Sequence, residues 1–133
     1  MGLALIGLGA GIGRSTDRRA VSALRAAIDD GDPSGIGRLL SPSVSVVVDP
    51  GRPDRQGARV VSGVVDAVRV LLHGTTPTAG RVLTLRDVNG RPGLVLLRGD
   101  DAEAVIGVDV EDGAVSVLWV RLHPDYRRHG NTT

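Results

Sequence analysis

The side chains that could do chemistry are few, and they stand near the ends of predicted strands and helices. They are Asp49, Arg69, His73, Asp87, Trp119, Arg121 and His123. A carboxylate or an imidazole in an apolar pocket can take a proton from the carbon beside a carbonyl group, because burial adjusts the pKa of such groups. Asp49 and His73 are therefore the candidate catalytic residues. Every member of the set except Asp87 is a candidate ligand-binding residue.

The residue types that are absent exclude several other mechanisms. The chain has no Cys and no Lys, which removes thiol catalysis, Schiff-base catalysis, disulfides and the lysine of a P-loop. Its three His, at positions 73, 123 and 129, do not have the spacing of a metal-binding motif. We therefore expect neither a cofactor nor a metal site. A chain without Cys suits the reducing cytoplasm, which is the expected location.

The charge balance argues against a nucleic-acid partner. The 16 basic residues, all Arg, are offset by 15 acidic residues, which leaves a net charge of +1. One Trp and one Tyr cannot form a base-stacking platform. We expect no direct contact with DNA or RNA.

Residues 1–14 form an apolar, Gly-rich leader. Its glycines, at positions 7, 9, 11 and 13, do not form the GxGxxG pattern of a dinucleotide-binding turn. The segment lacks the basic start and the cleavage site of a signal peptide, and it is too short to span a bilayer. We expect a flexible leader, no association with a membrane, and a polar tail over residues 127–133.

Helical periodicity and β-branched runs predict the elements of the first half. Val21, Leu24 and Ile28 recur at helical spacing, and a Gly-Asp-Pro turn then leads into a short second helix. Asp49-Pro50-Gly51 predicts a loop after the first strand. The predicted elements are helices over residues 15–30, 33–40 and 64–73 and a strand over 44–48.

The second half predicts a meander of antiparallel strands over residues 81–88, 94–98, 104–110 and 115–122. Asn89-Gly90 and Asp112-Gly113 are residue pairs preferred in type I′ hairpins. Helices followed by a meander predict an α+β fold with the helices on one face of the sheet. We expect a single domain over residues 15–126.

Several short motifs match a known group of domains. The most literal is Val88-Asn89-Gly90-Arg91-Pro92-Gly93-Leu94, and the Gly31-Asp32 turn and the closing Trp119-Val120 segment also fit. They resemble the SnoaL-like C-terminal domain of extracytoplasmic-function RNA polymerase sigma factors, within the nuclear-transport-factor-2-like superfamily. The resemblance covers nearly all of the chain after the leader. It implies a cone-shaped, curved, mostly antiparallel sheet with three helices on its concave face.

The resemblance also implies a regulatory function. In that family the domain follows the helical domains that contact DNA and tunes their activity. Asp49 and Gly51 stand where the family has Asp-Gly-Gly-Gly-Lys, and Pro124 and Asp125 stand where it has Asn-Pro-Asp-Lys-Leu. These four residues are the candidate regulatory motif. A local alternative exists for each pair, since Asp49 could brace its own loop and Pro124-Asp125 could end the last strand.

Alternation along the last two strands predicts which side chains face the helices. With Asp112-Gly113 as a two-residue turn, Trp119 and Arg121 fall on the concave face, where Trp119 would form a pocket wall or fill the core. Leu118 and Val120 then fall on the convex face. We expect an apolar patch there for a homodimer or for a sigma-factor-type partner.

Two functions from different classes fit these observations. The preferred hypothesis is a freestanding regulatory or binding domain that acts in transcription regulation through protein contact or by sensing a small apolar ligand. The alternative is a cofactor-independent isomerase, cyclase or hydrolase, which would need a buried Asp or His at an open apolar cavity. A tyrosine that could donate to an enolate oxygen is lacking, because Tyr126 lies in the predicted tail.

Overall fold

A computed structural model of the chain describes residues 17–51, 57–75 and 80–123, and it confirms the α+β class. The described helices are α1 (residues 17–29), α2 (Pro33–Leu39) and α3 (Val64–Thr75). The described strands are β1 (Leu40–Asp49), β2 (Arg59–Ser62), β3 (Arg81–Val88), β4 (Arg91–Arg98), β5 (Asp101–Glu111) and β6 (Ala114–Leu122). The predicted leader, the tail and Pro124-Asp125 lie outside the described residues.

The six described strands form one curved sheet in the order β2-β1-β6-β5-β4-β3. All neighbouring strands run antiparallel except β1 and β6, which are parallel. Strand β2 was missed at the sequence level, because four residues with only two valines give too short a pattern. It forms the edge of the sheet beside β1.

The core lies between the three helices and one face of the sheet. Val21, Leu24 and Ile28 of α1 are fully buried, as their helical spacing predicted. They join Ile36 of α2, Leu71 of α3 and the inward side chains of the strands in one aliphatic cluster. Each fully buried Leu or Ile contributes about 1.5–3 kcal/mol to the hydrophobic stabilisation.

The two predicted hairpin turns have the backbone that their residues require. Asn89 and Gly90 have φ values of 53° and 80°, and Asp112 and Gly113 have φ values of 52° and 80°. Positive φ at both central positions is the signature of a type I′ turn, in which Asn-Gly and Asp-Gly carry little strain. These turns fix the β3–β4 and β5–β6 pairings.

Two register shifts interrupt the alternation of strands β4 to β6. Between β4 and β5, Leu96 is paired with Ala104 and Leu97 with Ala102, so Glu103 is an extra residue on β5. Between β5 and β6, Asp109 is paired with Val117 and Val110 with Val115, so Ser116 is an extra residue on β6. Such bulges bend the strand and change which face the following side chains occupy.

The Glu103 bulge places a carboxylate inside the protein. Glu103 is 2% exposed. Its Oε2 accepts a hydrogen bond from Arg81 Nε at 3.0 Å, and its Oε1 accepts one from Arg98 Nε. Arg81 Nη2 also donates to the carbonyl oxygen of Gly74, near the end of α3, at 2.9 Å. One buried ion cluster therefore ties β3, β4 and β5 to the last turn of α3.

We predict that Glu103→Ala lowers the free energy of unfolding by about 2–4 kcal/mol, because it leaves two partly buried guanidinium groups without their shared carboxylate. Glu103→Gln keeps an acceptor oxygen and should cost less. Urea denaturation followed by circular dichroism measures both changes. Glu111→Ala, at the exposed end of the same strand, is the matched control and should change stability by less than about 0.5 kcal/mol. Equal effects of Glu103→Ala and Glu111→Ala would contradict the prediction.

Candidate functional site

A cavity opens on the inner side of the sheet, between α3 and strands β1, β4, β5 and β6. Its volume is about 420 Å³, within the usual range for small-molecule sites. Its lining residues are Val48, Arg59, Arg69, Val70, Leu71, His73, Gly74, Leu96, Ala104, Val120 and Leu122. Most of them are aliphatic, so the cavity suits an apolar molecule.

Strand register explains why aliphatic side chains meet there. Val48 of β1 is the partner of Val120 of β6, and both line the cavity. Ala104 of β5 is the partner of Leu122 of β6, and the small side chain of Ala104 leaves room beneath α3. The sheet supplies the floor and α3 supplies the opposite wall.

The polar groups of the cavity lie at its rim. Arg59 extends from edge strand β2, and Arg69 and His73 stand one helical turn apart on α3. All three are exposed. Arg69 Nη1 lies 3.9 Å from Asp66 Oδ1, and because both side chains are well exposed this ion pair is weak. No Asp or Glu is among the described residues of the lining.

Asp49 does not face this cavity. Its Oδ2 lies 3.6 Å from Arg121 Nε, on the outer face of the sheet. Its Oδ1 accepts a hydrogen bond from the backbone N–H of Gly51 at 2.8 Å, which is the local bracing considered at the sequence level. The structure therefore does not bring the candidate Asp49 to this cavity, because Val48, its neighbour in the strand, takes the inward position.

The predicted position of Trp119 and Arg121 on the concave face is wrong. Trp119 is 50% exposed and lies beside Gly107 on the outer face. A Cβ atom added to Gly107 would lie 3.6 Å from the Cβ of Trp119. Leu118 is fully buried, and Val120 lines the cavity, although both were expected to be convex. The cause is the extra residue Ser116, whose hydroxyl donates to the carbonyl oxygen of Asp109 at 3.1 Å.

The outer face holds a second, more polar depression of about 570 Å³. Asp109 accepts hydrogen bonds there from Trp119 Nε1 at 3.1 Å and from Arg91 Nη1 at 2.7 Å. Arg121 lines the same depression. The structure therefore separates the predicted site residues into two groups, with Arg69 and His73 inside the cone mouth and Asp49, Trp119 and Arg121 outside.

Two remaining candidates lie elsewhere. His123 follows β6, is exposed, and donates its backbone N–H to the carbonyl oxygen of Glu103 at 2.9 Å. Asp87 Oδ1 lies 3.9 Å from Nη2 of Arg18 in α1, and both side chains are exposed. Neither residue lines the cavity beside α3.

Sequence analysis missed Arg59 and Glu103. Arg59 reaches the rim because β2 pairs with β1, and β2 itself was missed. Glu103 interrupts the apolar run of β5, and that break in alternation was the available signal for a buried carboxylate. Within the described residues, no group of three or more possible metal ligands occurs, and no helix is long and apolar enough to cross a membrane.

No protein-family model and no curated protein matches the sequence. Solved structures do match. An NTF2-like protein of unknown function from Cytophaga hutchinsonii aligns over 81% of this chain and 90% of its own, with a TM-score of 0.55 and 14% identity. The chain has an NTF2-like fold.

Two other solved structures also align with the chain. The extracytoplasmic-function sigma factor SigJ of Mycobacterium tuberculosis aligns with 84% of this chain at 27% identity and a TM-score of 0.61. This chain covers 43% of the sigma factor chain, less than half of its length. A putative ketosteroid isomerase from Kribbella flavida aligns over 82% of this chain and 78% of its own, at 17% identity and a TM-score of 0.57. At that identity the isomerase supports the fold alone.

The outward position of Trp119 generates a direct prediction. Because it is the only tryptophan in the chain and it is half exposed, acrylamide should quench its fluorescence efficiently in the native protein. The quenching constant should rise only about twofold on unfolding, in proportion to the added exposure. Native fluorescence that acrylamide scarcely quenches would place the indole in the cone and contradict the bulge-shifted register.

Proposed function

We propose that this NTF2-like domain is a non-catalytic binding domain that takes up a small, mainly apolar molecule in the cavity beside α3. The single observation that carries the proposal is a cavity of about 420 Å³ with an aliphatic interior and no described carboxylate in its lining. Such a cavity gains binding energy by excluding water, and none of its described lining residues is a buried acid or base that could transfer a proton.

We further propose that the domain acts in transcription regulation. The support is the 27% identity with part of a sigma factor, together with the resemblance of the sequence motifs to a sigma-factor C-terminal domain. A bound molecule would contact α3 and the inner sheet, and a protein partner would contact the outer face.

The alternative of an isomerase, cyclase or hydrolase has less support. Among the described lining residues, His73 carries the one imidazole and there is no carboxylate, and His73 lies exposed at the rim, away from the aliphatic interior. Asp49 is on the other face of the sheet. An exposed imidazole lacks the burial by which such enzymes tune an acid or base.

Ligand binding can be tested by thermal melting against a panel of small apolar compounds. A ligand at about 100 times its Kd stabilises the native protein by about 2.7 kcal/mol, which should raise the Tm by several degrees. Val120→Phe places a larger side chain in the cavity and should abolish the shift. Val65→Phe, at an exposed position of α3 outside the lining, is the control and should retain it. A shift that persists in Val120→Phe would place the ligand elsewhere.

The outer face supplies a second prediction. Val60 and Trp119 expose 63% and 50% of their surfaces, and strand pairing places outward-facing Val47 of β1 between them. We propose this patch as the contact with a second copy or a protein partner. If the chain dimerises through it, Val60→Arg should reduce the mass measured by light scattering to that of a monomer. Val82→Arg, at an exposed position of the opposite edge strand β3, is the matched control and should leave the dimer intact. A dimer that survives Val60→Arg would exclude this surface.

A further inference from the structure

We infer that the molecule taken up in the cavity is an amphiphilic anion: a single aliphatic chain that ends in a carboxylate. The inference rests on the proposed binding function and adds the chemical class of the ligand. It comes from the separation between the aliphatic interior of the cavity and the charges at its mouth.

The rim carries positive charge from two sides. Arg59 belongs to β2, is paired in register with Val48, and lines the cavity from the sheet side. Arg69 stands on α3, across the cavity, and His73 follows one turn later. A carboxylate at the mouth could therefore accept hydrogen bonds from two elements, and guanidinium groups suit that geometry.

Among the described residues, one acidic side chain lies beside an arginine of the rim, and it pairs weakly. Asp66 is the acidic residue that the structure places beside Arg69, at 3.9 Å, with its side chain 60% exposed. Exposed pairs of this kind are worth about 0.2–1 kcal/mol, so a ligand carboxylate can replace Asp66 at little cost. Glu103 is held by Arg81 and Arg98 below the surface.

A hydrogen bond at the end of α3 also makes the mouth of the cavity more favourable for an anion. The carbonyl groups of the last helical turn carry partial negative charge, which would repel a carboxylate. Arg81 Nη2 donates to one of them, the carbonyl oxygen of Gly74, at 2.9 Å, and Gly74 lines the cavity. This hydrogen bond reduces the repulsion on that side of the mouth.

The size of the cavity suits an aliphatic chain of moderate length. Its volume of about 420 Å³ lies toward the small end of the range for small-molecule sites. A straight-chain acid of about ten carbon atoms is of the size that such sites accept, with its carboxylate at the rim.

Three ten-carbon probes test the inference by isothermal titration calorimetry: decanoate, decan-1-ol and decylammonium, each below its aggregation concentration. Decanoate should bind the wild-type protein about tenfold more tightly than the alcohol, because hydrogen bonds to a charged group are the stronger ones. Decylammonium should bind most weakly. The double variant Arg59→Gln, Arg69→Gln should lose the preference for decanoate and keep its affinity for decan-1-ol.

Two further variants separate a charge effect from a loss of structure. Arg86→Gln removes an exposed arginine of β3 that does not line the cavity, and it should leave all three affinities unchanged. Asp66→Asn removes the competing carboxylate, and it should strengthen decanoate binding about twofold to threefold while decan-1-ol binding stays the same.

The outcomes distinguish the two proposals. If decan-1-ol or decylammonium binds as tightly as decanoate, or if the double variant keeps the preference, the anionic head group is wrong and the binding function stands. If none of the probes binds the wild-type protein, the proposed binding function fails and the anionic ligand fails with it.

Discussion

The single extra residue Ser116 decides which face of the sheet each side chain of β6 occupies. Its hydroxyl group holds the carbonyl oxygen of Asp109 at the point where the register shifts. Beyond this bulge, Leu118 and Val120 turn inward and Trp119 turns outward. Without the shift, an indole and a guanidinium would enter the aliphatic interior, and the cavity would lose its apolar character. The apolar character of the cavity therefore depends on one local irregularity of the backbone.

A second irregularity keeps charge out of the cavity while placing it close by. Glu103 is buried only because Arg81 and Arg98 satisfy its two oxygens. A buried carboxylate left unpaired would be costly, and beside an apolar cavity it would be a candidate general base. Paired in this way, it acts as a structural tie between the strands and the end of α3.

The two sides of the sheet have different chemistry. The inner side is aliphatic with arginines at its mouth, and the outer side combines exposed Val60, Val82 and Trp119 with the Asp109–Arg91 pair. Strands β1 and β6 contribute to both sides, because alternate residues point in opposite directions.

The sequence by itself determined the class of fold, most of the elements and the chemistry that is excluded. Helical spacing in α1, Asn-Gly and Asp-Gly at two turns, and β-branched runs are local signals, and each constrains the backbone whatever surrounds it. The resemblance to a sigma-factor domain then predicted a cone-shaped, curved sheet. A structural match to an NTF2-like protein supports this prediction. Arg69 and His73 were recognised as members of one site, and they do share the rim of the cavity.

Only the tertiary structure decided on which face the other candidates lie. Strict alternation is valid until a strand gains a residue, and a bulge is set by the pairing with the neighbouring strand, which a linear pattern does not contain. The bulge at Ser116 turns Trp119 and Arg121 to the outer face. Asp49 also faces outward, because its neighbour Val48 takes the inward position. The β1–β2 pairing brings Arg59 to the rim of the cavity, and the β4–β5 bulge places Glu103 inside the protein. Local sequence fixes the elements here, whereas the register between strands fixes the site.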